Sequence, residues 1–155
     1  MKDSYDEAVN ELKRVDHLLY VSLKYTRTVD VLRSVIERII TTLDRLMDTL
    51  LKYAKKKKLV SIIPTTPGLQ SEAVITAFGG NEAVVEMVNF YLLMRKIKRA
   101  KYTQREEFRR HVTMISVLDN NEKVEVNIDI LVRYYTLLKD YVKLVRDIIE
   151  EKKEE

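Results

Sequence analysis

One stretch constrains this chain more than any other. Between Thr28 and Lys57, Val31, Leu32, Val35, Ile36, Ile39, Ile40, Leu43, Leu46, Met47, Leu50, Leu51 and Ala54 recur at steps of three and four, with no Pro or Gly among them. That spacing is the apolar stripe of a 3.6-residue period, so it predicts one amphipathic helix. At the rise of an α-helix it spans roughly 45 Å, enough to cross a small domain. The other apolar segments are shorter or less regular. This helix is therefore expected to be the spine on which the rest packs.

Composition agrees with a helical protein. Hydrophobic residues make up 46% and charged residues 34%, with three Gly and two Pro, which argues against a turn-rich β fold or disorder. A chain of 155 residues can bury a real core, so we expect a single helical domain over residues 1–155, with Glu150–Glu155 as a fraying charged tail. The absence of Cys removes disulfides, thiolate ligands and a cysteine nucleophile, and it suits a reducing, cytoplasmic setting. No uninterrupted apolar run approaches the roughly 18 residues of a membrane span, and the first residues lack a signal-peptide pattern. No membrane partner is expected.

Capping signals divide the remainder. Ser4-Tyr5-Asp6-Glu7 reads as a capping box, followed by a stripe of Tyr5, Ala8, Val9, Leu12, Val15, Leu19 and Leu23 to about Tyr25. A short turn at Tyr25–Thr28 makes the first two helices antiparallel neighbours. Arg33–Glu37 and Asp48–Lys52 have i,i+4 spacing, and Lys55–Lys58 complement the dipole at the end of the long helix. Pro64, Pro67 and Gly68 break the helix over Leu59–Gln70, where Val60, Ile62 and Ile63 should anchor the chain. Ser71–Phe78 forms two turns with Gly79-Gly80 as its C-cap. Asn81 caps a helix to about Ala100. Its apolar residues from Val84 to Ile97 point nearly all round, which asks for burial by the core or by a second copy in a homodimer.

The end of that helix turns basic. Arg95, Lys96, Lys98, Arg99 and Lys101 come in close succession, and Thr103-Gln104-Arg105-Glu106 reads as a second capping box. It predicts a short helix from Gln104 to about Val112, with Phe108 and Val112 facing inward. From Arg95 to Arg110 eight Lys or Arg stand against two Glu, a local charge of +6 in a chain whose net charge is +4. An anion-binding surface needs such concentration. Arg95, Lys96, Lys98, Arg99, Lys101, Arg109 and Arg110 are thus the candidate nucleic-acid contacts; the bland alternative is a solvated face with helical pairs such as Glu106–Arg110.

Further on, Lys123–Ile128 alternates strictly and Asp119-Asn120-Asn121 is a turn signal, so a small β-hairpin fits residues 113–128. Asn127 or Asp129 then caps a last helix striped by Leu131, Tyr134, Tyr135, Leu138, Tyr141, Val142, Val145, Ile148 and Ile149. The fold class expected is all-α: a four-helix-bundle-like up-down arrangement with extra short helices and that hairpin.

No metal site or cofactor is expected. Glu107 and His111 are one helical turn apart, but no further ligands converge on them. The Gly pair has no phosphate-loop fingerprint, and no serine elbow is present. What remains is Arg105-Glu106-Glu107-Phe108-Arg109-Arg110-His111. It resembles the motif of HEPN domains, an Arg followed after four to six residues by His. These small all-helical proteins occur with minimal nucleotidyltransferases and in toxin systems. The element order is also similar: two long antiparallel helices, a further helix, the Arg…His element, and a last helix.

The resemblance implies a metal-independent endoribonuclease active as a homodimer. Arg105 would bind the scissile phosphate and stabilise its charge, while His111 would serve in acid–base catalysis or positioning. It also implies RNA or nucleotide as ligand and a nucleotidyltransferase-type protein as partner. Glu106 stands where the family usually has Asn, Asp or His. On a helix, positions six apart lie about 120° from each other, so the two residues would meet only across a dimer. The residues themselves also support a second function, a non-catalytic adaptor binding RNA or an acidic protein through the Arg95–Arg110 face.

Overall fold

The computed structural model describes residues 1–151 and is mostly helical. In chain order it has α1 (Lys2–His17), a π-helical turn (Leu18–Ser22), α2 (Leu23–Tyr25), α3 (Val29–Lys56), α4 (Pro67–Phe78), α5 (Glu82–Arg99), β1 (Lys101–Arg105), β2 (Thr113–Val117), β3 (Lys123–Asn127) and α6 (Ile128–Ile149). The spine is α3. Thr28 starts it by accepting a hydrogen bond from the Val31 N–H at 3.3 Å, which pairs one of the donors a first helical turn leaves over. Its stripe from Leu32 to Ala54 is buried, with Val31 at the margin. Helices α1, α4, α5 and α6 and strand β2 all pack on it.

Polar pairs along these contacts fix the directions. Ser4, Glu7 and Glu11 of α1 meet Asp48, Arg45 and Arg38 of α3, so the two helices are antiparallel. Tyr91 and Lys98 of α5 meet Asp44 and Glu37, which sets α5 antiparallel to α3 as well. Tyr135 of α6 donates to Asp16 of α1 at 2.7 Å. Helix α1 begins at Lys2, so Ser4 lies inside it and is no N-cap. Its buried hydroxyl instead donates to Asp48 at 2.5 Å and accepts from Lys52 at 2.8 Å. Of the two expected pairs on α3, Asp48–Lys52 forms at 2.9 Å, while Glu37 faces Lys98 at 3.8 Å and Arg33 turns elsewhere.

The connection after α3 holds the core through Ile63; Ile62 is exposed. Pro67 opens α4, and Gly79 closes it where a Cβ would lie 2.7 Å from the Ile75 carbonyl oxygen. Asn81 and Asn127 cap α5 and α6 by accepting from Val84 and Ile130 at 3.2 and 2.9 Å. Glu151, placed by the sequence in a solvated tail, pairs with Lys57 and accepts from Tyr53. Residues 152–155 of that tail lie outside the described residues.

The all-α expectation needs one correction. The hairpin expected over residues 113–128 is present as β2–β3, antiparallel from Thr113↔Asn127 to Val117↔Lys123. Strand β1 joins its other side, from Lys101↔Val117 to Arg105↔Thr113, giving an antiparallel sheet of order β1-β2-β3. The helix expected over Gln104–Val112 is therefore absent. β2 carries buried Thr113, Met114 and Ser116 and needs a strand on both edges, because an isolated pair is marginal in water. That ladder outweighs a local capping signal of about 1 kcal/mol.

Candidate nucleic-acid interface

Three elements carry the basic residues. The last turns of α5 supply Arg95, Lys96, Lys98 and Arg99; the edge strand β1 supplies Lys101 and Arg105; the loop over 106–112 supplies Arg109 and Arg110. Ala100 stops α5 by turning extended, which leads straight into β1. Arg33 of α3 fastens this joint. It donates to the Lys98 carbonyl at 3.3 Å, and its guanidinium lies 4.5 Å from the Tyr102 ring centre, a cation–π contact. All five residues of β1 remain exposed.

The charges are unevenly compensated. Lys98 sits 3.8 Å from Glu37, Arg105 bonds Glu125 at 2.6 Å, and Arg110 bonds Asp129 at 2.9 Å. Arg110 is the main reason that the Asp129 carboxyl is held below its ordinary range, helped by the charges of His111 and Arg133. Among the described residues, Lys96, Arg99, Lys101 and Arg109 have no acidic partner within ion-pair distance, and all four are exposed. Arg95 leans on the Tyr91 ring at 5.7 Å. With Lys98 and Arg99 it lines an open concavity of about 240 Å³ walled by cations.

The 106–112 loop is tied down at both ends of its path. Glu107 accepts from the Val29 N–H at 3.1 Å, capping α3 from a distance, and the Phe108 N–H donates to the Arg27 carbonyl at 2.7 Å. The Arg110–Asp129 pair holds the other side to the first turn of α6, and Val112 is fully buried. Glu106 and Phe108 adopt φ of 56° and 66°, the left-handed region that bulky residues avoid. Phe108, expected to face inward, is 77% exposed. Glu107 caps α3, and Arg110 pairs with Asp129 rather than with Glu106.

Arg105 and His111 thus belong to a strand end and a turn, not to one helix. Arg105 lies across from Thr113, two residues past His111, so both stand at the loop end of the β1–β2 hairpin. The helical-phase argument for a dimer no longer applies. His111 is exposed, and its carbonyl accepts from the Thr113 hydroxyl at 2.9 Å. Among the described residues no three His, Cys, Asp or Glu side chains gather to hold a metal ion, and no helix is long and apolar enough to cross a membrane.

Sequence reasoning missed β1 and the exposure of Phe108 and Tyr25. The signal for β1 lay in β2, whose apolar content suits a central strand. The chain matches no family model, no curated protein and no solved structure.

Proposed function

We propose that the protein binds RNA through the phosphate backbone, on the face formed by the end of α5, β1 and the 106–112 loop. The observation that carries this reading is the set of exposed cations, Lys96, Arg99, Lys101 and Arg109, without acidic partners among the described residues. A further three cations sit in exposed pairs worth about 0–1 kcal/mol, which a phosphate can displace. Arg33 and the sheet hold these groups on rigid elements, so little ordering accompanies binding.

Fluorescence anisotropy of a labelled RNA against salt tests it. Affinity should fall steeply as salt rises, because each neutralised phosphate releases counterions. Charge reversal at Arg99 and Arg109 should weaken binding at least about tenfold. No binding to RNA at low salt would sink the proposal.

A second reading is the HEPN-like, metal-independent endoribonuclease, with a homodimer and a nucleotidyltransferase-type partner as the resemblance implies. It is favoured by the shared position of Arg105 and His111 at one hairpin end. Arg105 would exchange Glu125 for the scissile phosphate and stabilise the phosphorane; the neutral imidazole would take the 2′-hydroxyl proton as that oxygen bonds to phosphorus and return it to the 5′-oxygen as the P–O5′ bond breaks, leaving a 2′,3′-cyclic phosphate. RNA cleavage in the presence of chelator, lost in both Arg105→Ala and His111→Ala, is the expected result. Intact RNA after long incubation leaves the binding adaptor.

A further inference from the structure

Two aromatic rings remain unexplained by phosphate binding. Tyr25, the last residue of α2, is 79% exposed, and Phe108 is 77% exposed. Among the described residues neither ring has an aromatic or cationic ring contact. They flank the same turn, because the Phe108 N–H donates to the carbonyl of Arg27 and Glu107 caps Val29 just beyond it. Phe108 is presented on a backbone of φ 66°, a conformation an L-phenylalanine adopts only when its surroundings impose it. The two anchoring hydrogen bonds and the buried Val112 do the imposing.

We propose that Tyr25 and Phe108 form a stacking platform for unpaired nucleobases, so that the ligand is single-stranded RNA rather than a duplex. The inference rests on the RNA-binding reading and adds the strand class to it. Cations stand near both rings in the sequence: Arg27 is two residues past Tyr25, and Arg109 and Arg110 follow Phe108. A polyanion drawn to those charges would bring its bases to two exposed π-faces. Base faces are available in a single strand and hidden in a duplex, where only phosphates and 2′-hydroxyls meet the protein. Arginines close to the rings in sequence would add cation–π attraction to the same bases.

The test compares a short single-stranded RNA with a duplex carrying the same number of phosphates, using the full chain. Phe108→Gly removes the ring and suits the positive φ; Phe108→Leu keeps apolar bulk without a π-face; Phe108→Tyr restores one. Single-strand affinity should fall about tenfold in the Gly and Leu variants and in Tyr25→Ala, and recover in Phe108→Tyr, with duplex affinity unchanged. RNA containing 2-aminopurine should lose emission on binding the wild type and keep more of it in Phe108→Leu, a change that a purely structural role would not produce. Equal binding of strand and duplex with no effect of the ring variants overturns the platform and leaves the phosphate reading standing. Failure of every RNA to bind removes both. A shift from dimer to monomer on Phe108→Gly in sedimentation would show the ring to be covered by a second copy, and would also overturn the proposal.

Discussion

The inner face of α3 and the basic face around β1 are built from opposite materials. Along α3 the apolar stripe from Leu32 to Ala54 is buried, and polar groups at its margin are paired, as Asp44 is with Tyr91 and Asp48 with Ser4. Along β1 every side chain is exposed, the ion pairs are superficial, and two residues of the following loop take left-handed backbone angles. Stability resides in the first region, and the groups able to meet a ligand reside in the second. Mutations should therefore separate them. Leu43→Ala, in a fully buried site of α3, should cost roughly 2–5 kcal/mol from lost burial and the cavity left behind. Denaturant titration reads the loss, and RNA affinity of the folded fraction should not change. A cost under about 1 kcal/mol would mean that α3 is not the centre of the core.

The polar contacts within the α3 wall come next in size. Tyr91 is fully buried and donates to Asp44 at 2.5 Å. Asp44→Ala leaves that hydroxyl without an acceptor and should cost about 1–3 kcal/mol. Asp44→Asn keeps an acceptor and should cost much less. The pH dependence adds a sign. Burial raises the Asp44 carboxyl above its ordinary range, against the Tyr91 hydroxyl and the Arg95, Arg45 and Lys98 charges that lower it. The native state then holds this proton more tightly than the unfolded chain does. Its contribution to stability is fully present below the ordinary carboxylate range and lost as pH rises through the raised value. Asp48 has the opposite sign. Burial would raise it, but the Ser4 hydroxyl and Lys52 hold it below its ordinary range. Its contribution is present at neutral pH and lost as pH falls through the lowered value. Melting curves between neutral and acid pH should show Asp48→Asn losing less stability on acidification than wild type, by about 1 kcal/mol or less because the pair is partly exposed.

The same contrast explains what the sequence revealed. A stripe repeating at 3.6 residues is a local signal, and burial of Leu32, Leu43 and Leu50 reads it out without help from the rest of the chain. The Asn81 and Asn127 caps and the β2–β3 hairpin are likewise local, each specified within a few residues. The site is not. Lys101–Arg105 has no strong strand pattern and becomes a strand only because β2 offers it an edge. Thr103 and Glu106 satisfy the spacing of a capping box, yet the acidic side chain used for capping is Glu107, on a helix 78 positions away in sequence. Concentrated positive charge was visible in the sequence; its distribution over a helix end, a strand and a loop was not, because long-range pairing decides it.

Glu107 joins the two regions, which makes Glu107→Ala informative. Thr28 still caps α3, so the stability cost should be about 0.5–1 kcal/mol. Electrostatics alone predicts tighter RNA binding, since an acidic group is lost beside Arg109 and Arg110. The geometry predicts the reverse, because Glu107 is one of two bonds holding the loop against the turn at Arg27–Val29. Weaker binding in Glu107→Ala supports a loop whose shape matters. Tighter binding would reduce the face to a diffuse field of charge.

The smallest expected effect on stability is at Arg109. It is exposed, and no carboxylate among the described residues lies within ion-pair distance. Arg109→Ala should stay within about 0.5 kcal/mol of wild type on unfolding, as surface substitutions do. Binding should respond instead. If Arg109 neutralises one phosphate, the slope of log affinity against log salt should become shallower by about 0.7 for a single strand. The offset should be similar across RNA sequences, because a phosphate contact carries no base information. An unchanged slope would remove Arg109 from the interface and confine binding to the α5 end, where Lys96 and Arg99 lie. A loss of stability above about 1 kcal/mol would be worse for the comparison, since the exposed face would then be part of what holds the fold together.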